Sequence, residues 1–406
     1  SSFSACRTGP TRRSTSLKRP MAPMAEDARA WLERLVAFDT TSRHSNLALI
    51  EDVEAFLTGL GARCERIASP DRAKANLHAV LGPDLDGGVV LSGHTDVVPV
   101  DGQDWSSDPF AVTERDGRLH GRGTCDMKGF IACALSAAPA FARADLKRPV
   151  HFAFSYDEEV GCLGAPDMIR AMAGQRPRPS AVIVGEPTMM RVVTGHKGLY
   201  SVRVEVHGKE AHSSLVNDGA CALTHAGRLM NFLYAESERL KAAAPADSPF
   251  DPPHGTVTVG RGGGGTAINI LARHAWFEAL MRPAPWDDGP GLGERLKAKC
   301  AEVEAEMRET APEARVTVQV MSDVPPLRPE AMGEAETLAR ALTGDNAPRV
   351  VAYGTEGGQF QEAGFSVVVC GPGSIEQAHQ PDEFVAIEQL AACEAFLGRL
   401  RARLSA

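Results

Sequence analysis

The chain has 406 residues, enough for two or three domains of ordinary size, each burying its own core. Its 43% apolar and 23% charged residues are globular values, and no uninterrupted apolar run approaches the roughly 20 residues that would span a bilayer, so no membrane partner is expected. Setting aside residues 1–24, with five basic side chains and no acidic one, takes the net charge from −9 to −14, and a surface of that sign repels phosphate backbones, which argues against nucleic acid.

Residues 1–24, rich in Ser and Arg, are expected to form a disordered N-terminal extension. Cloned or misassigned upstream sequence ahead of a start at Met21 or Met24 is favoured over a transit peptide, because no apolar helical face runs through the stretch. The nine cysteines are odd in number and none forms a C-x-x-C pair, so neither a disulfide framework nor a thiolate zinc knuckle is suggested, and a cytoplasmic location is expected.

Residues 28–38 predict a helix, and Leu47, Ile50, Val53, Phe56, Leu57 and Leu60 predict a second by their three-and-four spacing. Short apolar runs follow at 89–91, 150–154, 181–184 and 367–369, separated by helical stretches such as 131–144, which is α/β alternation with buried strands. Between 195 and 322 the pattern changes to strand 200–206, helix 220–241, strands 256–259 and 275–281, helix 294–309 and strand 315–320. That order, βαββαβ, predicts a ferredoxin-like layer. Because α/β character resumes with 334–342 and 366–369, residues 195–322 are expected as a domain inserted into a larger one made of 25–194 plus 323–406.

Five segments place candidate metal ligands just after predicted strands or at helix starts, where open α/β sheets bind ligands. In Gly93-His94-Thr95-Asp96 the two-residue period puts His94 and Asp96 on one face, so Asp96 can orient the imidazole. In Gly121-Arg122-Gly123-Thr124-Cys125-Asp126, Asp126 could cap the following helix or bridge two cations, and bridging is favoured. The run Asp157-Glu158-Glu159 ends a buried strand, where desolvating three acids is costly without cations; Glu159 would then bind metal and Glu158 remain free as a base. Glu186, in Gly185-Glu186-Pro187, and His379, in Ala378-His379-Gln380-Pro381-Asp382-Glu383, complete the set. Two imidazoles and three carboxylates suit two divalent ions, zinc first and cobalt or manganese as alternatives, leaving about one positive charge to acidify a bridging water.

With these motifs the sequence resembles the M20 family of metallopeptidases and deacylases from about residue 25 to its end. The resemblance implies His94, Asp126, Glu159, Glu186 and His379 as ligands, Asp126 as the bridge, Asp96 behind His94 and Glu158 as general base. It also implies a homodimer built through the smaller domain, with His212, in Gly208-Lys209-Glu210-Ala211-His212, reaching the partner's site to stabilise the oxyanion. Three further stretches, Phe38-Asp39-Thr40-Thr41-Ser42, Tyr353-Gly354-Thr355-Glu356 and Gly371 to Glu383, point within that family to deacetylation of a small N-acyl amino acid, with N-acetylornithine the expected substrate. The alternatives are desuccinylation of succinyl-diaminopimelate, another N-acyl amino acid, a dipeptidase or carboxypeptidase, or a metal-binding protein without catalysis, against which Glu158 argues.

An amino-acid substrate needs a cation for its α-carboxylate. Arg282, ending the strand 275–281, is the candidate; Asn269 is a candidate for the reacting end and Glu356 for the δ-ammonium. Where the family commonly has Pro and Asp, the chain reads Ala272-Arg273, which loosens the strand entry. The run Gly260-Arg261-Gly262-Gly263-Gly264-Gly265 matches G-x-G-x-x-G but no helix follows, so a flexible loop is expected and not a dinucleotide site.

Overall fold

The computed structural model describes residues 27–406; the expectation for residues 1–24 lies outside them. A six-stranded sheet runs in the order Arg63–Ala68, Ala75–Leu81, Val150–Ser155, Val89–His94, Ala181–Val184, Ser366–Val369. Its last four strands are mutually parallel, and the first two pair antiparallel. The period-two alternation of these strands divides two cores. Leu91, Phe152, Phe154 and Ile183 face a layer of helices that includes Ala28–Val36, Leu47–Gly59, Lys128–Arg143 and Ile387–Leu404, while Val90, Ala153, Val182 and Val369 face Ala165–Gly174 and Gly357–Glu362. Each fully buried Phe or Ile contributes roughly 1.5–3 kcal/mol, so these positions fix which way every strand faces.

Residues 199–324 form the expected βαββαβ layer, with sheet order Thr256–Gly264, His274–Arg282, Leu199–His207, Arg315–Val324, all antiparallel. Strands Leu199–His207 and His274–Arg282 alternate half-buried and buried residues along their whole length. Their inner residues, such as Val204 and Phe277, pack against helices Ala222–Ala242 and Gly289–Arg308 in a separate core. Among the described residues, no helix packs on the other face of this sheet.

The glycine run is a correction to the sequence reading: no loop begins at Gly260. The strand continues to Gly264, with a shift in register between Val259 and Arg261, because pairing with His274–Arg282 supplies the order that glycine lacks.

Candidate metal centre

All four parallel strands end at one edge of the large sheet, and each leads into a segment of the site: His94, Asp157-Glu158-Glu159, Glu186, and the loop 370–383. Gly185 makes the third approach possible, since a Cβ there would lie 2.0 Å from the Phe130 ring.

His94 is buried. Its Nδ1 donates to the main-chain carbonyl of Asp96 at 2.9 Å, which turns Nε2 toward Asp126 Oδ1 at 3.0 Å and Glu186 Oε1 at 3.6 Å. On the opposite side of Asp126, His379 Nε2 lies 3.2 Å from Oδ2 and 3.1 Å from Glu159 Oε2. Two triads result, His94–Asp126–Glu186 and Asp126–Glu159–His379, sharing Asp126, with one potential ligand atom per residue inside 4.8 Å.

The electrostatics are those of a site that wants cations. Burial, reinforced by Asp126, holds the Glu186 carboxyl well above its usual range and raises Glu159 to about 7. Glu158 is also pushed well upward, by burial against the pull of His94 and with Glu159 and Asp126 beside it. Hydrogen bonds to Asp126 and Glu159 raise His379 to about 10, and burial of His94 is outweighed by Asp126, Asp96 and the surrounding acids. Mutually opposed buried acids around two imidazoles fit divalent ions, and the all-N/O donor set fits zinc, cobalt or manganese.

Asp96 does more than sit behind His94. Its carboxylate lies 3.6 Å from the imidazole, and it accepts from Ser42 Oγ at 2.6 Å and from the backbone N–H groups of Glu158 and Glu159 at 3.1 and 3.2 Å. It therefore holds the acidic turn in place.

Several groups escaped the sequence reading. Glu383 accepts from the backbone N–H of Cys125 at 2.9 Å and of Asp126 at 3.0 Å, and pairs with Arg122 at 2.7 Å. Arg122 stacks over Trp105, and the main-chain carbonyl of His379 accepts from Gln103 at 2.8 Å. Cys162 donates to Glu158 Oε1 at 3.3 Å. The motif stretches containing Arg122 and Glu383 were visible, but nothing in their spacing marks a contact 261 residues long.

A cavity of about 190 Å³ opens over Asp126, Glu158, Glu159, Glu186 and His379. Arg282 lines it, with Nη1 buried and, among the described residues, without a hydrogen-bond partner, and burial lowers its pKa. Leu199, Val324, Tyr353 and Ile375 form an apolar wall.

Glu356, expected at the δ-ammonium, is 2% exposed, accepts from Ser155 and Ser92, and is not among the residues lining the cavity. Burial raises its carboxyl to about 7. His212 and Asn269 are also absent from that wall. They sit together on exposed loops of the small layer, where Ser213 N–H donates to the carbonyl of Asn269 at 2.9 Å, and His212 Nδ1 lies 2.8 Å from Ser214 Oγ. Asn269 is thus not among the residues that line its own subunit's cavity.

Two carboxylate–imidazole triads sharing one aspartate, at the carboxyl edge of a parallel sheet, define a metal-dependent hydrolase. The sequence profile of peptidase family M20/M25/M40 matches residues 90–402, and the chain belongs to this family. It is 39% identical over 379 residues to acetylornithine deacetylase of Myxococcus xanthus, covering 91% of this chain and 96% of that one. Acetylornithine deacetylase of Pasteurella multocida is 33% identical over 358 residues, covering 88% and 91%. The fold is that of an M20 family metallo-carboxypeptidase from Sulfolobus solfataricus, with TM-score 0.73 at 17% identity, covering 94% and 99%. Among the described residues, no helix is long and apolar enough to cross a membrane.

Proposed function

We propose that the protein hydrolyses the acetamide bond of N2-acetyl-L-ornithine, releasing ornithine and acetate in arginine biosynthesis. The observation that carries this reading is the shared-aspartate pair of triads with Arg282 on the same cavity wall, its buried Nη1 without a hydrogen-bond partner among the described residues. The likeness to two acetylornithine deacetylases supports the choice of substrate.

His94 and Glu186 would hold one divalent ion and Glu159 and His379 the other, with Asp126 between them. Two bound ions, with zinc favoured over cobalt or manganese, would polarise the scissile carbonyl and acidify water. Glu158 takes the proton of the attacking water and delivers it to the leaving amine, as an elevated pKa suits. Arg282 grips the α-carboxylate through its fork.

Residues 195–322 act as a dimerisation layer on a metal-binding body of 25–194 plus 323–406, in a cytoplasmic homodimer. His212 then reaches the partner's cavity and stabilises the tetrahedral oxyanion, and Asn269, adjacent to it, would travel with it. The exposed Leu215, Val216, Ile268 and Ile270 around these loops suit burial against a second copy.

A second reading is deacylation of N-acyl amino acids with apolar side chains. It is favoured by the wall of Leu199, Val324 and Ile375, where the acids among the described lining residues all belong to the cluster or its base. The test is kcat/KM across N-acetylornithine, N-acetylmethionine, N-succinyl-diaminopimelate and dipeptides after reconstitution with zinc or cobalt. A preference for N-acetylornithine supports the first reading, a preference for N-acetylmethionine replaces it with the second, and no hydrolysis of any of them refutes both.

A further inference from the structure

The helix-free face of the small sheet carries an imidazole–carboxylate group that the hydrolytic centre does not use. His207 and His274 stand directly opposite one another in the register of strands Leu199–His207 and His274–Arg282. The two-residue period brings Glu205 onto the same face. Glu205 Oε2 lies 3.0 Å from His274 Nε2 and 3.7 Å from His207 Nε2, and the two rings have centroids 4.8 Å apart. One potential ligand atom from each of the three residues falls within 4.8 Å of the others.

The same two strands carry Leu199 and Arg282 at their opposite ends, on the cavity wall. Eight residues of extended chain separate the two places, roughly 25 Å. From these positions we infer that Glu205, His207 and His274 form a further metal site, taking one borderline transition-metal ion such as Zn²⁺, Ni²⁺ or Cu²⁺ with solvent completing its coordination.

The surroundings prepare these groups for that task. Arg203 donates to Glu205 Oε1 at 2.8 Å, bonds Glu278 at 2.9 Å and stacks on Trp276 at 4.2 Å, so it fixes the carboxylate and leaves Oε2 toward the histidines. Partial burial, then the neighbouring His274 and Arg315, lower the pKa of His207 against the pull of Glu205, which keeps a lone pair free at neutral pH. Arg315 stands opposite His207 and Arg273 precedes His274, so the place is not strongly negative. Such a site favours ions that bond to imidazole nitrogen over hard, oxygen-seeking Mg²⁺ or Ca²⁺. An ion bound there staples two neighbouring strands and stabilises the folded state by mass action.

The experiment uses the full-length enzyme with its hydrolytic centre loaded with zinc. After equilibration with excess Zn²⁺ and passage through a desalting column, metal per chain is measured by emission spectroscopy for the wild type, His207→Gln and His274→Gln. The expected result is one zinc per chain fewer in each variant, with unchanged kcat/KM and loss of the rise in Tm that added Zn²⁺ gives the wild type. Equal zinc content in wild type and variants overturns the site. Cu²⁺ added to the zinc-loaded wild type provides an independent reading: electron paramagnetic resonance should show two imidazole nitrogens, and a spectrum of oxygen ligation alone overturns it too.

Discussion

The buried pair Arg122–Glu383 offers the sharpest test of how the site is held. Both side chains are 1% exposed, and Glu383 also accepts the backbone N–H groups of Cys125 and Asp126. Burial and the charge of Asp126 raise the Glu383 carboxyl, and Arg122 opposes that rise. Arg122→Met therefore strands a carboxylate in a dry site, and Glu383→Gln strands a guanidinium; each should cost about 3–5 kcal/mol. In the double variant neither charge remains, so its cost should fall below the sum of the singles by at least about 2 kcal/mol. Glu383→Gln keeps a carbonyl oxygen for the two N–H donors, whereas Glu383→Ala removes it and frees the turn that presents Asp126. The alanine variant should accordingly bind less metal than the glutamine variant. Urea unfolding of metal-free and zinc-loaded proteins gives the free energies, and metal analysis gives the occupancy. Singles that add to within about 0.5 kcal/mol would refute the coupling, and full zinc content in Glu383→Ala would refute the role in holding Asp126.

Glu158→Gln should lower kcat by about 10² to 10⁴ with both metals retained, whereas Asp126→Ala should lose metal together with activity; a fully metallated Asp126→Ala protein contradicts the bridging role. Arg282→Lys replaces a fork with a point charge and should raise KM for acetylated amino acids more than it lowers kcat, with an unchanged KM counting against the carboxylate contact. Mixing His212→Ala chains with Glu158→Gln chains should restore part of the activity through hybrid dimers containing one intact composite site, and verified hybrids with no recovery would exclude sharing. His78 and His151, 3.0 Å apart, are lowered by burial to about 4 and about 3, so the unfolded chain takes up protons that the folded chain refuses. Stability is then complete above about pH 6.5 and falls as pH drops through that value toward 4, by up to about 1.4 kcal/mol per pH unit for each histidine. The double variant His78→Leu/His151→Leu should show a flatter slope between pH 6.5 and 5 in urea titrations, and an equal slope would refute the assignment.

What was legible in the sequence was whatever a short range encodes. The runs at 89–91 and 181–184 read as strands because strands buried on both faces are apolar throughout, 150–154 does so with only His151 interrupting it, and the ligands stood out because each follows such a run. Strand Ala75–Leu81 did not stand out, since it buries Asn76 and His78, whose partners are the carbonyl of Gly164 and the ring of His151. Arg63–Ala68 is an edge strand of mostly exposed residues, half of them charged, and Thr113–Arg115, Arg118–His120 and Phe384–Ala386 are too short to show a period. Glu383 and Arg122 were hidden for the same reason as Asn76: their meaning lies in a partner far along the chain.

The fate of Glu356 sharpens the question of what this cavity recognises. Its place in the motif suggests a counter-ion for ornithine's δ-ammonium, yet Ser155 and Ser92 engage its buried carboxylate. On the proposed reading, Asp126, Glu159 and Glu186 are committed to cations and Glu158 to proton transfer, which leaves no acid among the described wall residues for the side chain of the substrate. On the same reading the α-carboxylate would meet the guanidinium of Arg282, whose buried Nη1 has no hydrogen-bond partner among the described residues. Anchoring therefore falls on the part common to all acetylated amino acids, and the ammonium must extend to the cavity mouth, where high dielectric makes any single contact weak. Discrimination between ornithine and an apolar side chain should then be modest in one subunit alone, unless loops from a second copy close over the cavity and supply the missing charge. The apolar wall of Leu199, Val324 and Ile375 is compatible with ornithine because its three methylenes pass along it before the charge begins.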